Sequence, residues 1–155
     1  MQFTLCLRIG IAAAGLGAAA VGDPSTGNWQ LNAAKSKRAE GAPKTLAVEE
    51  LEGDWVRVTA VSAGPEGKER RLTYRLKRDG QDYPVAGAPD YDAVSSLRID
   101  AQSFETVYKS GGREVRRCRV RVAPDGRSSE CRCVTVDAKG RKSASILAWD
   151  LRGAE

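Results

Sequence analysis

The sequence predicts an all-β fold: an antiparallel up-and-down meander of about eight to ten strands closing into a barrel, with one short helix after the first strand. Three observations carry this. Glycine-bearing turns recur at intervals of thirteen or fourteen residues over Gly53, Gly67 and Gly80 and again over Gly112, Gly126 and Gly140. The segments between turns alternate apolar and polar side chains with a period of two, as half-buried strands do. Only Ala33 to Glu40 reads as helix. So many antiparallel strands in one domain must dispose of their edges, and closure is the simplest outcome for a meander.

The first strand is Gly27-Asn-Trp29-Gln-Leu31-Asn32, and the helical stretch after it, ending before Pro43, is expected to cap one end of the barrel. After the turn at Glu52-Gly53-Asp54, Val56, Val58 and Ala60 alternate with Arg57 and Thr59. Beyond Gly64-Pro-Glu-Gly67, Leu72, Tyr74 and Leu76 form one face, which Arg70 and Arg78 share, while Glu69, Arg71, Thr73, Arg75 and Lys77 form the other. The longer interval from Gly80 to Gly111 has its own turns at Gly87-Ala-Pro-Asp90 and Asp100-Ala-Gln102. Phe104, Thr106 and Tyr108 then alternate with Glu105, Val107 and Lys109; Cys118, Val120 and Val122 alternate with Arg117, Arg119 and Arg121. Pro124-Asp-Gly126 is a hairpin signal, because glycine supplies the positive φ that closes such a turn. In Ser128 to Val136, Cys131 and Cys133 share one face and Val134 and Val136 the other, and Ile146 to Leu151 is apolar on both faces.

The composition narrows the function. The 155 residues are 41% hydrophobic and 29% charged, which excludes a disordered tail and a helical membrane bundle. The absence of histidine removes the Ser-His-Asp and Cys-His arrangements and the commonest zinc ligand. Residues 1–22 carry one charge, Arg8, followed by a small and apolar run from Ile9 to Gly22, the layout of a secretory signal peptide cleaved near residues 20 to 22. The run is too short for a membrane-spanning helix; the alternative is a buried N-terminal helix. The mature chain, residues 23–155, is then a single barrel domain in the periplasm or outside the cell, expected to be a monomer.

Gly27-x-Trp29 resembles the opening-strand motif of the calycins, the lipocalin and fatty-acid-binding-protein barrels. Together with Leu31, Asn32, Lys35, Ser36, Asp82-Tyr-Pro-Val85, Gly87, Pro89 and Asp92, it is similar to a group of small secreted bacterial lipocalin-like proteins, over nearly the whole mature chain. The resemblance implies a lipocalin-like β-barrel in which Gly27 and Trp29 close the base. Many lipocalins lay a last-strand arginine over that tryptophan, and Arg152 is the stand-in here. The Arg-x-Tyr pair with which many fatty-acid-binding proteins hold a carboxylate is missing, so that site does not transfer.

Alternation nominates Val58, Leu72, Tyr74, Phe104, Tyr108 and Val120 as inward residues able to hold a small hydrophobic ligand. Arg70 or Arg78, on the Tyr74 face, is placed to face a barrel mouth and pair with an acidic ligand group. Cleavage leaves Cys118, Cys131 and Cys133. A four-residue loop at Pro124-Asp-Gly126 sets Cys118 opposite Cys131, the favoured disulfide, with Cys133 free or replacing Cys131 as partner. A soft-metal site for Cu(I) or zinc is the alternative, but without histidine or a fourth ligand no metal is assigned. Arg116, Arg117, Arg119 and Arg121, with Arg132 on the facing strand, form the densest basic feature. Arg117, Arg119 and Arg121 are placed for weak contact with a polyanion or the cell envelope; no nucleic-acid motif accompanies them. No nucleophile with a base, phosphate loop or cofactor motif is present. The expectation is a non-enzymatic binding protein for a small apolar or amphipathic molecule. Its alternative is a protein- or polyanion-docking or inhibitor module that uses the outer basic face and has a filled interior.

Overall fold

The computed structural model describes residues 22–153. The export segment predicted over residues 1–22 lies outside them apart from Gly22. Ten strands follow in order: β1 (Gly27–Leu31), β2 (Thr45–Glu50), β3 (Val56–Ala63), β4 (Glu69–Leu76), β5 (Asp79–Pro84), β6 (Ala93–Arg98), β7 (Ser103–Ser110), β8 (Arg113–Val122), β9 (Ser128–Val136) and β10 (Lys142–Leu151). They form one antiparallel sheet in the order β4-β3-β2-β1-β10-β9-β8-β7-β6-β5. Pairing of β1 with β10, Trp29 opposite Leu151 and Leu31 opposite Trp149, closes the meander upon itself.

Closure stops at one seam. Strands β4 and β5 are consecutive in sequence but share no ladder. The reason lies in β5, whose residues Asp-Gly-Gln-Asp-Tyr-Pro offer no alternating apolar face, and whose register against β6 slips between Asp79 and Asp82. The result is a nearly closed barrel.

The inward face is the one that alternation indicates. Val56, Val58 and Ala60 are buried on β3, and the ladder sets Val58 opposite Val48 on one side and Tyr74 on the other. Trp29, 3% exposed, and Trp149, 4% exposed, anchor the core. The Trp29 indole N–H donates to Ser25 O at 2.8 Å, so its one polar atom is satisfied inside. Gly27 has φ +137°, and a Cβ there would stand 2.6 Å from Leu151 Cδ1, so glycine is required where the chain turns in before Trp29. Arg152 does not cover the tryptophan. It is exposed beyond β10, where its backbone N–H donates to Asn28 O at 2.8 Å.

The helix expected over Ala33 to Glu40 is shorter, a single 3-10 turn at Ala33–Lys35 capped by the Asn32 side chain. Extension loses to strand pairing. Lys37 exchanges backbone hydrogen bonds with Ile146, and Ser36 Oγ accepts from Ala148 N, so the next peptide groups are satisfied against β10. The following segment, Arg38 to Pro43, borders the barrel's mouth as irregular chain.

The favoured disulfide is corrected by the β8–β9 register. The connection runs from Ala123 to Ser128, whose backbone groups bond at 2.8 Å, and is longer than the four residues expected. That shift sets Cys118 opposite Cys133 and Val120 opposite Cys131. The disulfide joins Cys118 and Cys133, leaving Cys131 buried and free. With a sequence separation of 15 residues, replacing both bonded cysteines with serine is expected to lower stability by about 3 kcal/mol on chain-entropy grounds. Urea unfolding of the oxidised wild type and the double variant measures it. An unchanged midpoint would show that the cross-link contributes nothing.

Candidate functional site

The barrel encloses a cavity of about 710 Å³. Five of the six inward residues expected from alternation, Val58, Tyr74, Phe104, Tyr108 and Val120, line it. Leu72 packs against the core cluster instead and is not on the cavity wall. Trp29, Leu46, Val48 and Trp149 complete much of the apolar surface.

Of the three arginines that line this space, Arg38 is exposed, and the other two, Arg78 and Arg116, are in opposite states. Arg78 is fully engaged. Its Nε donates to Asp23 Oδ2 at 2.8 Å, its other nitrogens reach Ser96 Oγ at 2.8 Å and Ser25 Oγ at 3.0 Å, and its Cζ lies 3.7 Å from the Phe104 ring centre. The Asp23 and Arg78 side chains are 7% and 12% exposed. Burial opposes ionisation of Asp23, but the Arg78 charge and hydrogen bond, with those from Ser25, outweigh it and hold the carboxyl below its ordinary value. The acidic partner that sequence reasoning sought in a ligand is, for Arg78, supplied by the chain itself. Arg70 is exposed.

Arg116 is the cavity residue that sequence reasoning misplaced. Grouped with the outward arginines, it instead points into the cavity. Its parity with Cys118 and Val120, and its place opposite Tyr108 across the β7–β8 ladder, are the signals that locate it. The guanidinium stacks on Tyr108, Cζ to ring centre 4.0 Å, and lies 5.6 Å from the Tyr91 ring. Among the described residues no carboxylate pairs with it, and its buried Nε has no acceptor. Burial also raises the pKa values of Tyr74 and Tyr91, each further raised by Tyr108, so these phenols remain protonated at neutral pH. Burial pushes the Cys131 thiol up to about 12 against the opposing pull of Arg116. The site is therefore a largely apolar chamber in which the Arg116 guanidinium lies beside protonated phenols and has no carboxylate partner, while Arg38, Glu40 and Asp90 also border the space.

The outer arginines are largely neutralised. Arg117 bridges Glu105 and Glu114, Arg119 reaches Glu105 at 3.3 Å, and Arg132 holds Glu130. Arg121 sits across the ladder from Glu130. Such exposed pairs stabilise little, yet they convert an expected basic face into one of mixed sign. Glu49 and Glu50 diverge as strand neighbours must: Glu49 holds Arg57 at 2.7 Å, and Glu50 accepts the Asp23 backbone N–H.

No protein-family model and no curated protein matches the chain in sequence. Solved structures match in shape. A fluorescent protein, UnaG, in a mutant form, is 15% identical with a TM-score of 0.56, covering 85% of this chain and 98% of its own. Wild-type UnaG is 14% identical with a TM-score of 0.54, over 81% of this chain and 96% of its own. The zebrafish ileal bile acid-binding protein, solved with cholic acid, is 9% identical with a TM-score of 0.53, over 83% of this chain and 99% of its own. At such identities the likeness is one of fold: these neighbours and the present chain share a nearly closed antiparallel β-barrel.

Proposed function

We propose that this chain is an exported, non-enzymatic carrier that holds a small amphipathic anion in its barrel, the apolar body against Trp29, Val58 and Phe104 and the anionic head at Arg116. The observation that carries the reading is Arg116, which lines a cavity of about 710 Å³ and pairs with no carboxylate among the described residues. A guanidinium lining an apolar cavity without a counter-ion is costly, and a carboxylate, sulfonate or phosphate head bound beside it relieves that cost. The volume lies within the range of small-molecule sites. It favours carriage over the alternative of a filled barrel that docks through its outside, as does the pairing of Arg117, Arg119 and Arg132 with glutamates. The bile acid-binding neighbour, solved with cholic acid, lends the same direction. Export rests on the Arg8-led apolar run, and a cross-strand disulfide suits an oxidising compartment.

Native mass spectrometry of the protein purified from its own host tests the reading. The expected result is a mass increment that persists in the gas phase, disappears on denaturation and corresponds to an acidic, partly apolar compound. Protein that emerges without any increment, and that fails to bind fatty acids, bile acids and aryl sulfonates in solution, would overturn it.

A further inference from the structure

We propose that the three interior cysteines, once reduced, form a tris-thiolate site for a single Cu(I) ion. Cys118 on β8 and Cys131 and Cys133 on β9 all face the cavity, and their sulfur atoms lie within 4.8 Å of one another. Cys131 Sγ stands 3.4 Å from Cys133 Sγ. Strand geometry builds this triangle: Cys118 and Cys133 are cross-strand partners, and Cys131 is two residues along on the same face. Sulfurs sharing one metal at about 2.3 Å each stand about 4 Å apart in a trigonal plane. Opening the disulfide frees the Cys118 and Cys133 side chains to rotate, and the site requires that rotation to bring their sulfurs to this spacing.

The donor set selects the metal. Thiolates favour Cu(I) and zinc. Structural zinc takes four protein ligands, and a fourth is lacking: the sequence has no histidine and its one methionine is Met1, while among the described residues these cysteines are the one cluster of metal-ligating side chains. Cu(I) is satisfied by three sulfurs. A Cu(I) tris-thiolate carries two net negative charges, and Arg116, a buried guanidinium without a carboxylate partner, lines the same cavity. The cation that suits an anionic ligand therefore also suits this centre, although the metal site stands independently of the carrier reading.

Loading balances in two steps. A phosphine reductant takes the oxygen of one water and becomes the phosphine oxide, while the disulfide gains two electrons and that water's two protons. Cu(I) then displaces the three thiol protons to solvent without changing oxidation state.

The test uses the full chain carrying Cys6→Ser, so that only interior sulfurs report. After anaerobic reduction and removal of the phosphine, Cu(I) is added as its acetonitrile complex and competed against bathocuproine disulfonate. The expected result is one equivalent bound, three sulfur neighbours by X-ray absorption, and near-UV circular dichroism that retains the folded signal. Cys131→Ser, which keeps the disulfide pair and its loop, is expected to show two sulfur neighbours and at least tenfold weaker retention. The oxidised protein is expected to take up no stoichiometric copper. Equal retention by Cys131→Ser, equal uptake by the oxidised protein, or loss of the folded signal on reduction would each overturn the site, and displacement by a tenfold excess of zinc would overturn the choice of metal.

Discussion

Replacing Arg116 with methionine is expected to weaken binding of an anionic amphiphile about ten- to a hundredfold while leaving a neutral apolar ligand of similar size bound as before. A hydrogen-bonded charge contributes about 1.5–3 kcal/mol, and each 1.4 kcal/mol is about tenfold in affinity. Stability is expected to move little. The variant loses the guanidinium stacked 4.0 Å from the Tyr108 ring centre, but it also loses a buried Nε that has no acceptor. Those effects oppose one another at about 1–2 kcal/mol each, and methionine refills most of the space. Parallel fluorescence titrations with an anilinonaphthalene sulfonate and with neutral phenylnaphthylamine separate charge from shape. Equal losses for both probes would mean that the cavity has collapsed. No loss for either would remove Arg116 from the site.

The Asp23–Arg78 pair predicts the largest change in stability. Replacing Arg78 with methionine is expected to cost about 3–5 kcal/mol at neutral pH, because it leaves a buried carboxylate without its cation. The double variant Asp23→Asn with Arg78→Met is expected to recover much of that loss, since both charges are then gone. The pH dependence follows from the sign of the Asp23 shift. Its folded pKa lies below the ordinary value of 3.8, so in the wild type its contribution is fully present above the unfolded pKa and is lost as pH falls through the folded one. Without Arg78, desolvation, the largest single influence on the carboxyl, is opposed only by the Ser25 hydrogen bonds, so the pKa rises and acid relieves the variant. The gap between wild type and Arg78→Met is therefore expected to narrow in urea melts taken at successively lower pH below about 5. A gap that stays constant from neutral to acid would mean that charge is not its cause.

Both residues show how far alternation reaches. Period two puts Arg78 on the face of Tyr74 and, applied strictly, puts Arg116 on the face of Cys118; the misplacement of Arg116 comes from reading a run of arginines as a patch. What alternation does not contain is the partner. Asp23 lies 55 residues from Arg78 in sequence and meets it only because the chain before β1 folds back across the barrel's base. Arg116 lacks any such partner, and that could not be inferred from composition in a chain with 20 acidic residues.

The Cys118–Cys133 link makes the same point about register. A longer hairpin connection moves every pair in β8 and β9 without changing which side chains share a face. Local pattern sufficed for the approximate number of strands, their meander order and their inward faces, because alternation of side chains is a property of extended backbone and turns are punctuated locally by glycine. The cysteine pairing, the gap between β4 and β5, and the identity of the uncompensated interior cation emerged with the folded barrel alone. Those depend on how ladders slide and close around side-chain volume, a sum over distant contacts that no local pattern encodes.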